Sequence, residues 1–130
     1  MNAVNSTTPI LLSILELGGY PDFSPLYQSL GFEVVVMPSM RKALKFIKNH
    51  RVDVIVAEFN FQSDFRDRTS QLESLMASIA QKPQVKVIVF YDREQSHQFW
   101  RVRERFDFFA TLVYPIQASE LEYCLAEKAD

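Results

Sequence analysis

Short apolar runs rich in β-branched residues alternate along this chain with stretches in which apolar positions recur every three or four residues. Five of the runs read as strands: "ILLSIL" at 10–15, "FEVVVM" at 32–37, "VDVIVA" at 52–57, "VKVIVF" at 85–90 and "FATLVY" at 109–114. The third is continuous enough to be covered on both faces, as strands of parallel sheets are. It runs directly into an acidic residue, Glu58.

The intervening stretches carry helix signals. In "DFSPLYQSLG" Ser24 reads as an N-cap, Pro25 as the first helical residue and Gly31 as the stop. "MRKALKFIKNH" sets Met40, Ala43, Leu44 and Ile47 on one side and Arg41, Lys42, Lys45 and Lys48 on the other. Ser70 and Glu73 match a capping box ahead of the stripe Leu72, Leu75, Met76 and Ile79. "REQSHQFWRVRERF" predicts a helix with Phe99, Val102 and Phe106 on one face, and "QASELEYCLAEKA" one with Leu121, Cys124 and Leu125 inward, capped at Gln117. Residues 59–69, "FNFQSDFRDRT", show no period and read as a loop.

Alternating strand and helix units of this length imply parallel strands joined by right-handed crossovers, hence a three-layer α/β/α domain. Five units are most simply ordered 2-1-3-4-5, the flavodoxin-like arrangement, with five helices and a crevice outside the carboxyl ends of strands one and three. Glu16 and Glu58 end those two strands. Residues 1–8 read as a tail and 9–130 as a single domain.

Composition narrows the function. The 130 residues carry 14 Lys and Arg against 16 Asp and Glu, a formal charge of −2, so the overall balance does not call for nucleic acid or an anionic membrane. A single cysteine, Cys124, excludes an internal disulfide and reads as a small buried hydrophobe. His50 and His97 are too far apart for metal-ligand spacing, and no apolar run is long enough for a membrane span. The expectation is a cytoplasmic protein without cofactor or metal. Ser13 and Ser39 lack a partnered histidine and aspartate, and His97 falls on the polar side of its helix, which argues against an enzyme.

From about Pro9 to Ala126 the sequence resembles the receiver domain of two-component response regulators, a CheY-like fold. "VDVIVAE" has the spacing of the strand leading to that family's phosphoacceptor aspartate. "LVYPIQASEL" resembles its segment ending strand five, and "SLGFEVVVMPSMRKALKFIKNH" its second strand and helix. The resemblance implies a cis Tyr114–Pro115 peptide. It also implies an acidic pair after strand one that holds Mg²⁺, a hydroxyl ending strand four and a lysine ending strand five. Here the acceptor position holds Glu58, whose extra methylene displaces the carboxyl by roughly 1 Å. The acidic pair is reduced to Glu16, preceded by Leu15, and Tyr91 and Tyr114 align with the hydroxyl and the lysine. Phe61 and Gln62 replace the Met and Pro that follow the acceptor.

These departures imply an atypical, phosphorylation-independent pseudo-receiver that acts by protein–protein contact in a two-component type of system. Glu58 is then either a permanent mimic of the phosphorylated state or a leftover carboxylate neutralised by a cation such as Arg66 or Arg68. Trp100 and Tyr123, each flanking the apolar stripe of its helix, are candidate contact residues, with a homodimer through the face of helix four, strand five and helix five as one form. Phe59, Phe61 and Phe65 offer an adhesive loop in which one or two rings pack inward. The alternative is a nucleotide- or flavin-binding module that uses the crevice, with Gly18 and Gly19 allowing close approach of a ligand.

Overall fold

The computed structural model describes residues 8–16, 20–59 and 71–127. Strands β1 (Ile10–Ile14), β2 (Glu33–Met37), β3 (Val54–Glu58), β4 (Lys86–Asp92) and β5 (Ala110–Tyr114) form one parallel sheet ordered β2-β1-β3-β4-β5. Helices α1 (Ser24–Ser29), α2 (Met40–Asn49), α3 (Gln71–Ser78) and α4 (Ser96–Arg103) make the crossovers, and α5 (Ala118–Glu127) follows β5. The topology is the one expected from the alternation of runs.

Every residue of β3 is buried, because this central strand is covered on both faces. Alternate residues of each strand feed two cores. Val87 and Val89 pack with Met40, Ala43, Ile47, Leu72, Leu75, Phe99 and Val102 from α2, α3 and α4. Ile88 and Phe90 pack with Tyr27 of α1 and Leu121 and Leu125 of α5. Burying each such side chain contributes about 1.5–3 kcal/mol, so the two layers hold the sheet between them. Cys124 is half-buried against the second core.

Several ends differ from the sequence-based expectation. Ser24 is the first residue of α1 rather than its cap; the cap position is Phe23, without a side-chain cap bond. Asp22 Oδ1 instead accepts from the Ser24 N–H at 2.9 Å and the Ser24 hydroxyl at 2.6 Å, so the turn is closed one step earlier. Gly31 does follow the helix, at φ 95°, where a side chain would be strained. Ser39 caps α2 by accepting from the Lys42 N–H at 3.2 Å. A 3₁₀ turn (Arg93–Gln95) precedes α4, which stops at Arg103, so Phe106 reaches the first core from beyond the helix. The Gln117 carbonyl accepts from the Glu120 and Leu121 N–H groups, as expected of a residue that opens α5. Ser70, the start of the capping box, lies outside the described residues, as does the loop from Asn60 onward.

Candidate functional site: an aromatic-filled crevice

β1 and β3 are adjacent, and the chain leaves them on opposite sides of the sheet's carboxyl edge, which places the crevice there. Glu58, the last residue of β3, is only 4% exposed. Glu16 lies two residues beyond β1, and its N–H donates to Glu58 Oε1 at 3.4 Å, so the two acidic positions do converge. Their carboxylates have different tasks. Glu16 Oε2 accepts from the N–H of Met40 at 3.1 Å, the first residue of α2, where the helix dipole favours negative charge. Glu16 thereby serves the helix end.

The register decides what else faces Glu58. Residues paired across a parallel ladder share a face, and Glu58 pairs with Phe90 while Asp92 pairs with Tyr114. Phe90 belongs to the same core as Val56 and Val54, two and four residues before Glu58 on β3. Tyr91 points the other way and stacks on Phe99 of α4, with ring centres 4.5 Å apart and planes at 21°. The assignment of Tyr91 to the pocket is therefore corrected: the side chain of β4 beside Glu58 is Phe90. A one-residue shift along a strand exchanges the two faces, and the sequence does not fix that register.

Tyr20, in the turn before α1, fills the mouth. Its ring lies 5.8 Å from Phe90 and 5.5 Å from Tyr114, edge-on to the latter at 80°. Phe23 meets Phe90 edge-on from the α1 side at 6.1 Å. Burial pushes the Tyr20 phenol well above its ordinary range, and the charges of Asp92 and Glu58 push it the same way. The Tyr114 ring thus meets Tyr20, and the bond from Tyr114 to Pro115 is cis. Asp92 Oδ1 accepts from the Glu94 N–H at 2.9 Å, so this carboxylate too is engaged at the start of a turn.

This donor set does not fit the divalent cation that the family resemblance implies. Glu16 is committed to α2, Asp92 to the turn after β4, Phe90 presents carbon where oxygen is needed, and burial keeps the Tyr20 phenol protonated and neutral. Among the described residues, no group of three or more His, Cys, Asp or Glu side chains is placed to hold a metal ion.

No family model matches the sequence, and no curated protein matches it. Solved structures do. A response regulator receiver domain from Clostridium thermocellum superposes with a TM-score of 0.71 at 19% identity, over 92% of this chain and 93% of that one. The chemotaxis protein CheY4 of Vibrio cholerae superposes with a TM-score of 0.71 at 19% identity, over 93% and 98%. A streptococcal redox sensor that evolved from two-component response regulators gives 0.73 at 16% identity, over 92% of this chain and half of that one. The fold is that of a receiver domain.

Within this receiver fold, Trp100 is 45% exposed and Tyr123 68% exposed. They do not share a layer: α4 packs on one side of the sheet and α5 on the other. Arg103 stacks over Trp100 with its guanidinium carbon 4.7 Å from the ring centre. Phe59 is buried against Phe99 at 5.1 Å, so at least one of the three loop phenylalanines packs inward. Phe61, Phe65, Arg66, Arg68, Gly18 and Gly19 lie outside the described residues. Sequence reasoning missed Tyr20 and Phe90. An aromatic just after the Gly18–Gly19 pair was the available signal for the first, and only strand register gives the second. Among the described residues no helix is long and apolar enough to cross a membrane.

Proposed function

We propose that this chain is a pseudo-receiver: a signalling domain that takes no phosphoryl group, performs no catalysis and acts by contact with other proteins. The observation that carries this is the aromatic filling of the crevice by Tyr20, Phe90 and Tyr114, with the Glu16 carboxylate turned away to the start of α2. Acyl phosphate formation on a carboxylate needs a metal to neutralise the phosphoryl oxygens and a donor for the developing charge. Phe90 supplies neither, and the Tyr20 and Tyr114 phenols offer a neutral hydrogen-bond donor in place of a cation. The same filling works against a nucleotide or flavin in the crevice, which needs open volume and convergent polar groups.

Contact then falls to the surface, and the exposed rings Trp100 on α4 and Tyr123 on α5 support it there, with a second copy of the chain among the partners they could meet. Glu58, buried beside Phe90, supplies a fixed side chain in place of a switchable one. The test is an amide NMR titration with Mg²⁺, then with Mg²⁺ and beryllofluoride, beside incubation with labelled acetyl phosphate and a nucleotide and flavin panel. The expected outcome is no saturable response around Glu58. Label on Glu58, or Mg²⁺-dependent shifts there, would overturn the proposal.

A further inference from the structure

Helix α2 concentrates positive charge on one face, two of its four cations in the first turn where the helix dipole disfavours them. Arg41, Lys42, Lys45 and Lys48 are all exposed, and α2 contains no acidic residue. At 100° per residue the four side chains fall within an arc of about 120°, directly opposite the buried Met40, Ala43 and Ile47. They extend over roughly 10 Å of helix. None is paired with a carboxylate among the described residues. Arg41 and Lys42 sit in the first turn, at the positive end of the helix dipole, and Lys45 has like-charged neighbours three and four residues away. Glu16, at Met40 N–H, offsets only the helix end itself.

The rest of the chain has the opposite sign. Taking these four from the 14 Lys and Arg leaves 10 against 16 carboxylates, so the remainder of the chain sums to −6 against a stripe of +4. A surface built for solubility intersperses the two signs. Beside the stripe lies an aromatic shelf: the half-buried Phe46 stacks on the exposed His50 with ring centres 4.1 Å apart and planes at 9°. Local stability is given up here without a gain inside the fold, which is the mark of a surface with an external partner.

We infer that the α2 face docks an acidic, amphipathic protein segment, whose carboxylates meet Arg41, Lys42, Lys45 and Lys48 and whose apolar side chain lies on the Phe46–His50 shelf. The inference rests on the proposed contact function and supplies the chemistry of one partner. A stripe this short suits a peptide better than a polyanion, because extended nucleic acid needs a larger basic footprint than roughly 10 Å of one helix. A second copy is the poorer fit. The glutamates of its α5, Glu120, Glu122 and Glu127, are spaced two, five and seven apart, whereas the stripe needs carboxylates three and four apart.

The test uses a short labelled peptide with glutamates at i, i+4 and i+7 beside two leucines, and its glutamine counterpart, read by fluorescence anisotropy and amide NMR at about 0.15 M salt. Saturable binding of the glutamate peptide alone is expected, with shifts confined to residues 41–50. Lys45→Glu with Lys48→Glu should weaken binding by about ten-fold or more, and a lysine-bearing peptide should restore it. Both positions are exposed, and the milder Lys45→Gln with Lys48→Gln, checked for an unchanged spectrum elsewhere, guards against misfolding. No saturable binding, binding indifferent to charge reversal, tighter binding of single-stranded DNA or phosphatidylserine vesicles, or self-association abolished by Lys45→Glu would each overturn the inference. Failure at α2 leaves the crevice assignment intact, whereas a Mg²⁺-dependent response at Glu58 strikes the crevice assignment alone.

Discussion

Replacing Tyr20 by alanine removes the ring that fills the crevice. The ring is half-buried and makes two aromatic contacts, with Phe90 at 5.8 Å and Tyr114 at 5.5 Å. A tyrosine buries 150–250 Å² when enclosed, so roughly half of that at about 25 cal/mol per Å² gives about 2 kcal/mol. Each ring pair adds about 0.5–1.5 kcal/mol, reduced by the freedom of a surface side chain to relax, which brings the total to about 3 kcal/mol. Urea unfolding of a domain this size has a slope of roughly 1–3 kcal/mol per M, so the midpoint should fall by about 1–3 M. Tyr20→Phe keeps the rings and should cost less than about 1 kcal/mol at neutral pH. If Tyr20→Ala shifts the midpoint by no more than Tyr20→Phe does, the ring does not fill the crevice, and the case against metal and nucleotide binding loses its main support.

Three further outcomes follow from the same geometry. Glu16→Ala should destabilise the protein by about 1 kcal/mol through the exposed start of α2, and Glu16→Gln by less, with the difference shrinking in high salt; urea midpoints at two ionic strengths check this. Tyr20 and Tyr27 are both raised by burial, Tyr20 also by Asp92 and Glu58 and Tyr27 also by Asp22. Because the folded state holds these phenols protonated, their contribution is fully present below the unfolded value of 10.0 and is lost as pH climbs above it. Their tyrosinate absorbance should therefore rise with alkaline unfolding, and Tyr27→Phe should move that unfolding to higher pH. Phe99→Ala should cost about 3–5 kcal/mol by thermal or urea unfolding, since Phe99 is the ring on which Phe59, Tyr91 and Phe108 converge.

The sheet order was legible because parallel strands and crossover helices leave separate periodic signatures in the chain, and five repeats of that alternation admit few topologies. The burial of Met40, Ala43 and Ile47 and the exposure of the α2 lysines were equally local, each following from spacing along one helix. The same holds for Gly31, whose positive φ a helix stop requires. That Glu58 would stand at the end of a buried strand was readable from a single run of seven residues.

What surrounds Glu58 was not. Whether Phe90 or Tyr91 faces it depends on the register between β3 and β4, set by packing on both sheet faces and invisible to either strand alone. Tyr20 reaches Phe90 and Tyr114 across 70 and 94 positions of sequence, and Glu16 finds Met40 across 24. The separation of Trp100 from Tyr123 likewise follows from which side of the sheet each crossover takes. Sequence periodicity thus determined the elements and their order, because hydrogen bonding and burial act over a few residues. The contents of the crevice were decided only where distant segments meet, because side-chain contacts at a sheet's end depend on register and layer.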